Sequence, residues 1–154
     1  MKKIIFIVII FGGIMLFSPV LKLFSEVTGV VLKDGVPVEG AQIEQRYHWH
    51  WNDTKGNVTT ISSKDGSFRF EPIKAQSWLA RLFPHEPVIQ QEITITVGNQ
   101  KYRAYKYSSH SYQEEFPGRS LRLRCDISHS ESNNLVDEKR KLTYNGICTI
   151  DDTL

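Results

Sequence analysis

Hydrophobic and polar residues alternate along much of the chain after residue 26. From Ala41 to Trp51, two sets of side chains fall on opposite faces: Ile43, Tyr47, Trp49 and Trp51 on one, and Gln42, Glu44, Arg46, His48 and His50 on the other. This period of two is typical of a strand with one buried face. Similar alternation recurs from Val88 to Val97 and from Leu121 to Ile127, and Leu142, Tyr144, Cys148 and Ile150 share one face of a last predicted strand. The pattern predicts a series of half-buried strands.

Turn-forming residues separate these strands. The sequences Lys33–Pro37, Asn52–Gly56, Asp65–Gly66 and Gly98–Asn99 are rich in Gly, Pro, Asn and Asp, which favour tight turns. One segment, Ala75–Phe83, has helical character, whereas Ser108–Gly118 and Ser128–Arg140 are polar and are predicted loops. Short strands without regular helix–strand alternation indicate an all-β, antiparallel β-sandwich.

The N-terminus has a different pattern. Lys2 and Lys3 precede an uncharged, mainly apolar run from Ile4 to Leu21. This arrangement predicts a hydrophobic helix that acts as a signal peptide or signal anchor over residues 1–25. Residues 26–154 would then form a domain on the periplasmic face of a bacterial-type cytoplasmic membrane, anchored through residues 4–21. Cleavage after Ser25 would instead release the domain, and the sequence leaves both alternatives open.

The net charge argues against a nucleic-acid partner. The chain has 19 basic and 17 acidic residues. Lys2, Lys3 and Lys22 account for three of the basic residues and residues 1–25 contain no acid, so the remainder carries a net charge of −1. A general nucleic-acid-binding role needs an excess of basic residues, and the exported part lacks one.

Two cysteines, Cys125 and Cys148, are the only ones in the chain. Because an exported chain reaches an oxidising compartment, we expect them to form a disulfide. The alternative is a pair of separate buried thiols.

One stretch carries a more specific pattern. It comprises Gly29-Val30-Val31, Gly35-Val36-Pro37-Val38-Glu39-Gly40-Ala41-Gln42-Ile43 and Ser63-Lys64-Asp65-Gly66-Ser67-Phe68-Arg69-Phe70. These residues, within 26–73, resemble the carboxypeptidase-regulatory-like, or transthyretin-like, domains. The resemblance implies a Greek-key-type sandwich that serves as an accessory module without catalytic residues.

Candidate chemistry is sparse. The sequence contains no Gly-x-Ser-x-Gly, His-Glu-x-x-His or phosphate-binding glycine loop, so we expect neither an enzyme nor a cofactor. His48 and His50 lie two positions apart on a predicted strand and are weak metal-binding candidates. A third ligand would have to come from His85, His110 or His129. The alternative is two solvent-facing histidines.

Two groups of residues are candidates for partner binding. Trp78, Arg81 and Phe83 lie in the apolar segment with helical character. That segment either covers one end of the sandwich, as we expect for Trp78, or presents a patch to a partner. Arg122 and Arg124, with Lys101 and Arg103, could form a basic stripe across two strands.

These features favour a non-catalytic protein-binding module facing the periplasm. Its layout of anchor, compact sandwich and disulfide is similar to that of immunity proteins that neutralise toxins delivered between bacteria. The alternative is a structural or glycan-binding accessory domain of the cell envelope, which exposed aromatic residues on a flat sheet face would favour.

Overall fold

A computed structural model describes residues 19–112, 120–137 and 142–151. Residues 1–18 of the predicted N-terminal helix lie outside these residues, whereas Val20 and Leu21, the end of the expected membrane segment 4–21, belong to a β-strand. Within them, no helix has the length and hydrophobicity needed to cross a membrane. The strands are β1 (Val20–Phe24), β2 (Val27–Lys33), β3 (Val36–Pro37), β4 (Gln42–Trp49), β5 (Thr54–Ile61), β6 (Ser67–Phe70), β7 (Ile73–Gln76), β8 (Ile89–Val97), β9 (Gln100–Ser109), β10 (Leu121–Asp126), β11 (Ser132–Asp137), β12 (Leu142–Gly146) and β13 (Cys148–Ile150). A short helix, α1 (Trp78–Leu82), lies between β7 and β8.

Two larger sheets pack as a sandwich, so the predicted all-β architecture is confirmed. One sheet has the order β11-β12-β9-β8-β4-β5 and is antiparallel throughout. The other has the order β13-β10-β2-β3, with β6 also paired to β2. In this second sheet β10 runs parallel to β2, which departs from a wholly antiparallel arrangement. A third, two-stranded sheet joins β1 to β7.

The main core lies between the two larger sheets because the inward positions of both are apolar. It includes Val27 and Val31 of β2, Phe68 and Phe70 of β6, Leu121 and Leu123 of β10, and, facing them, Ile43, Ile93, Ile95, Ala104 and Tyr105. Gly29 allows the close approach of β2 to its neighbours, since a Cβ there would lie 2.5 Å from the Phe68 ring and 2.8 Å from the Leu123 carbonyl oxygen.

The predicted tight turn at Asp65–Gly66 is present. It leads from β5 of one sheet to β6 of the other and places two aromatic rings in the core. Gly66 has a φ of 76°, a left-handed conformation that glycine adopts without strain. The Asp65 carboxylate accepts a hydrogen bond from the Ser67 amide at 3.0 Å. The turn thereby directs Phe68 and Phe70 into the interior, as the alternation predicts.

A second, smaller cluster closes one end of the sandwich. Leu21 and Leu23 of β1 pack with Trp49, Ala80 and Ile89, and all five are buried. In addition, the buried Gln91 Nε2 donates a hydrogen bond to the Leu23 carbonyl oxygen at 2.9 Å. The folded domain therefore begins at β1, before the boundary expected after residue 25.

The C-terminal region differs from the sequence prediction in two places. The predicted loop Ser128–Arg140 contains β11, which pairs with β12. The described side chains of β11, which is an edge strand, are exposed or half-buried, Leu135 among them, so they show no alternation with buried positions. The single strand expected through Leu142 and Ile150 is instead divided into β12 and β13 at Ile147.

The predicted disulfide between Cys125 and Cys148 is confirmed. The two residues lie directly opposite each other on β10 and β13, with an S–S distance of 2.04 Å. Nearby, the Tyr144 hydroxyl donates a hydrogen bond to the Cys148 carbonyl oxygen at 2.8 Å. Burial raises the pKa of Tyr144 to about 12. The disulfide thus fixes β13 to β10, and the buried hydrogen bond joins β12 to β13.

Removal of β1 should destabilise the domain. We expect a chain of residues 19–154 to fold and a chain of residues 26–154 to melt far lower or to aggregate. Loss of Leu21, Leu23 and Phe24 removes three buried side chains, each worth about 2–5 kcal/mol, from a domain whose total stability is about 5–15 kcal/mol. Thermal melting monitored by circular dichroism compares the two chains. Equal midpoints would show that β1 is dispensable.

Loss of the disulfide should lower stability without changing the fold. The bond closes a loop with a sequence separation of 23 residues, for which the chain-entropy model gives about 3 kcal/mol. We expect reductant to lower the denaturant midpoint by the corresponding amount. Its matched control is the variant Cys125→Ala with Cys148→Ala, which should already have the lower midpoint and should not respond to reductant.

Candidate binding surfaces

Strand β5 forms an open edge of the six-stranded sheet. Among the described strands it pairs with β4 alone, in a continuous register from Gln42 opposite Ile61 to Trp49 opposite Thr54. Val58 is 47% exposed and Ile61 is 65% exposed. An edge strand presents unpaired N–H and C=O groups to which another chain can add. This edge is therefore a candidate surface for an extended peptide segment.

A groove of about 610 Å³ runs beside this edge. It lies between β5 of one sheet and β2 and β6 of the other. Its lining includes Thr28, Val30, Thr60, Ile61, Ser67 and Arg69. Because small hydroxyl and aliphatic side chains predominate here, the groove has room for the side chains of a bound segment.

The outer face of the six-stranded sheet is charged and internally paired. Arg46 contacts Glu44 at 3.5 Å and Glu92 at 3.7 Å. Arg103 contacts Glu92 at 3.6 Å and Glu131 at 2.8 Å. Such exposed pairs contribute little to stability, about 0–1 kcal/mol each. Their fixed arrangement nevertheless gives this face, beside β5, a specific pattern of charge.

The four basic residues expected to form one stripe do not do so. Lys101 and Arg103 belong to β9 of the six-stranded sheet, whereas Arg122 and Arg124 belong to β10 of the other sheet. Lys101 contacts Glu44 at 3.8 Å, and Arg124 lies 3.9 Å from Asp151. The assignment of strands to two sheets, which local alternation does not encode, separates them.

His48 and His50 stack on each other, with ring centroids 3.9 Å apart. The His48 Nε2 atom lies 2.7 Å from the Asp53 carboxylate. Hydrogen bonds from Lys55 and His48 lower the pKa of Asp53. Across the described ranges, no group of three or more His, Cys, Asp or Glu residues is placed to hold a metal ion. Within these ranges, His85, His110 and His129 therefore do not form a metal site with His48 and His50.

An aromatic hydrogen-bond chain lies at the end of the sandwich that β1 closes. The Trp49 Nε1–H donates to the Tyr112 hydroxyl at 3.0 Å, and that oxygen lies 2.7 Å from His85 Nε2. Because His85 Nδ1 lies 2.9 Å from the Phe83 carbonyl oxygen, neutral His85 carries its proton on Nδ1 and accepts from Tyr112. Burial raises the pKa of Tyr112. The His85 ring also stacks on the Trp51 ring, and the two ring centroids are 4.0 Å apart.

Sequence reasoning did not identify this chain of contacts. Trp49 and Tyr112 are separated by 63 positions, and no local pattern joins them. Tyr112 stands at the start of a polar loop whose residues 113–119 lie outside the described part of the chain. A hydroxyl placed between the buried Trp49 ring and the half-buried His85 ring leaves no signal in the alternation of hydrophobic residues.

Helix α1 presents an exposed apolar surface. The Ser77 hydroxyl caps it by accepting a hydrogen bond from the Ala80 amide at 3.1 Å. Ala80 faces the smaller cluster, whereas Trp78 is 39% exposed and Leu82 is 67% exposed. We expected Trp78 to cover this end of the sandwich. In the structure Ala80 is the residue of α1 that packs into the smaller cluster. The candidate residues Trp78, Arg81 and Phe83 lie together on this surface. The other two candidates, Arg122 and Arg124, lie elsewhere, on β10.

Comparison with known proteins identifies one family. A family model described as a domain of unknown function, DUF6795, matches residues 27–130, which is more than half of the chain. Searches of curated proteins and of solved structures found no match. The matched range begins after β1, includes β5 and α1, and ends before β11.

Removal of the Tyr112 hydroxyl should destabilise this end of the sandwich. Tyr112→Phe leaves the buried Trp49 Nε1–H without its acceptor, and an unsatisfied buried donor costs about 1–3 kcal/mol. Denaturant unfolding measures the loss. Tyr102→Phe is a suitable control because it breaks an exposed hydrogen bond to Gln100, so its midpoint should stay near that of the parent. Equal effects of the two substitutions would contradict the assignment.

Proposed function

The chain belongs to the DUF6795 family, and we propose that it is a non-catalytic protein-binding module held on the periplasmic face of the cytoplasmic membrane. The positively flanked apolar run before β1 supports the location. The involvement of β1 in the core supports an uncleaved anchor, because cleavage after Ser25 would remove buried residues.

The open edge of β5 is the observation that carries the protein-binding role. A partner segment that added beside β5 would form main-chain hydrogen bonds with its free edge, and such bonds supply affinity in strand addition. Val58 and Ile61 would contact the side chains of the added segment, and the groove between β5 and β6 would receive them. The neighbouring charged residues would restrict which partners fit.

The resemblance to carboxypeptidase-regulatory-like domains remains part of this proposal. The sandwich, the Asp65–Gly66 turn and the buried Phe68 and Phe70 support it. A Greek-key motif consists of antiparallel strands, so the parallel pairing of β2 with β10 departs from that motif. Within the protein-binding class, the layout of anchor, sandwich and disulfide supports an immunity protein that neutralises a toxin delivered into the periplasm.

The structure gives less support to the glycan-binding alternative. That role would be favoured by aromatic rings on a flat sheet face. The outward positions of β4, the strand next to the edge strand β5, are Gln42, Glu44, Arg46 and His48. We therefore propose protein binding as the function.

Charged substitutions on the β5 edge should abolish binding while the domain stays folded. We expect the full-length chain to retain a defined set of proteins from detergent-solubilised envelope extract, including extract mixed with secreted proteins of competing bacteria. Val58→Lys with Ile61→Lys should lose them, because two positive charges replace apolar side chains on the edge. Mass spectrometry of the retained proteins measures the difference. A retained toxin would support the immunity role, and a resident envelope protein would support the accessory role.

The matched control is Leu135→Lys. Leu135 is 55% exposed on β11, the opposite edge strand of the same sheet. This variant should retain the same proteins as the parent. If the β5 variant also retains them, binding does not use this edge.

A further inference from the structure

An exposed apolar patch surrounds the point at which the N-terminal segment enters the domain. Pro19, Trp78, Arg81 and Leu82 line a groove of about 420 Å³. Val20, Leu79 and Phe83, which adjoin these residues in the chain, are also exposed. We call these seven residues the N-terminal patch. A cluster of exposed apolar side chains around a groove marks a site of contact with a protein, a ligand or a membrane.

The residues that precede Pro19 in the chain indicate what the N-terminal patch contacts. Pro19 is preceded by Ser18 and then directly by the apolar run Ile4–Phe17. No polar linker separates that run from the patch. If the run enters a bilayer, Pro19 lies at its surface, and the rest of the patch must lie there too because it is fixed to Pro19 by the fold.

The length of the run strengthens this argument. Because β1 takes Val20–Phe24 into the domain, the uncharged segment left for the membrane is Ile4–Ser18. An α-helix of that length would extend about 22 Å, which is less than the roughly 30 Å of a typical hydrocarbon core. A short anchor with no linker would hold the domain tightly against the bilayer.

The chemistry of the patch matches the membrane interface. Tryptophan is enriched at the headgroup level, where its apolar ring and its polar N–H are both accommodated. Arg81 lies within the patch, and Lys22 and Lys74 lie directly opposite each other on β1 and β7. One acidic residue, Glu86, follows the patch in the chain, and the three basic residues outnumber it. The balance of charge favours anionic headgroups.

We propose that the N-terminal patch docks onto the bilayer that the N-terminal segment enters, with Trp78, Leu82 and Phe83 in the interface of an anionic leaflet. This inference rests on the proposed membrane anchoring. It assigns the exposed side of α1 to lipid and leaves the β5 edge for the protein partner.

Quenching of tryptophan fluorescence by brominated lipid tests the docking. The full-length chain is reconstituted in vesicles of equal parts POPC and POPG, with bromine in the acyl chains of either no lipid or all lipid. We expect bromine to quench the emission, and Trp78→Phe to lose most of the quenched component. Trp49 is buried and should contribute little. Quenching should be weaker in POPC alone.

Two further variants separate the possible outcomes. Leu82→Asp with Phe83→Asp should reduce the quenching of Trp78, whereas Val58→Lys with Ile61→Lys should leave it unchanged. Unchanged quenching in Trp78→Phe or in the aspartate variant would overturn the docking, and equal quenching in POPC alone would overturn the role of anionic lipid. Loss of envelope-protein capture by the aspartate variant, without quenching in the parent, would make the patch a protein-binding surface instead.

The failure of docking can be distinguished from the failure of the proposed function. A chain that does not co-float with the vesicles lacks the anchor, which would contradict the location itself. A chain that floats without Trp78 quenching is anchored but not docked. Capture of a partner through β5 is measured independently of both.

Discussion

The packing of β1 against the end of the six-stranded sheet is the interaction on which the placement of this domain depends. Leu21 and Leu23 are buried with Trp49 and Ile89, and Gln91 donates a hydrogen bond to the Leu23 carbonyl oxygen. Separation of these groups would expose apolar surface and break a buried hydrogen bond. The segment that continues the apolar N-terminal run is therefore part of the core, and whatever holds that run also holds the domain.

This constraint gives the molecule two surfaces with different chemistry. Around Pro19, apolar side chains of α1 lie near basic residues of β1 and β7. Strand β5 instead combines an open backbone edge with the exposed side chains of Val58 and Ile61, beside a charged sheet face. The first suits a lipid interface and the second suits an extended protein segment, so anchoring and recognition need not compete for the same residues.

The polar interactions differ in what they contribute. The ion pairs of the sheet face are exposed and contribute mainly to the pattern of charge. The contacts of Trp49, Tyr112 and His85 instead include the Nε1–H of a buried tryptophan, for which the loss of its acceptor costs more than the loss of an exposed ion pair. The rigidity of the end that β1 closes thus depends on a few buried contacts between residues distant in sequence.

The sequence by itself determined the all-β class, strands such as β4, β8 and β10, the Asp65–Gly66 turn and the cysteine pair, because alternation and turn chemistry are local. It did not reveal β11, whose exposed edge position imposes no alternation, nor β1, whose hydrophobicity does not distinguish a buried strand from the end of a membrane segment. Only the tertiary structure decided that Lys101 and Arg124 lie on different sheets, that Ala80 rather than Trp78 faces the core, and that Tyr112 meets Trp49. Each of these depends on strand pairing and packing between residues far apart in the chain, for which a local pattern carries no signal.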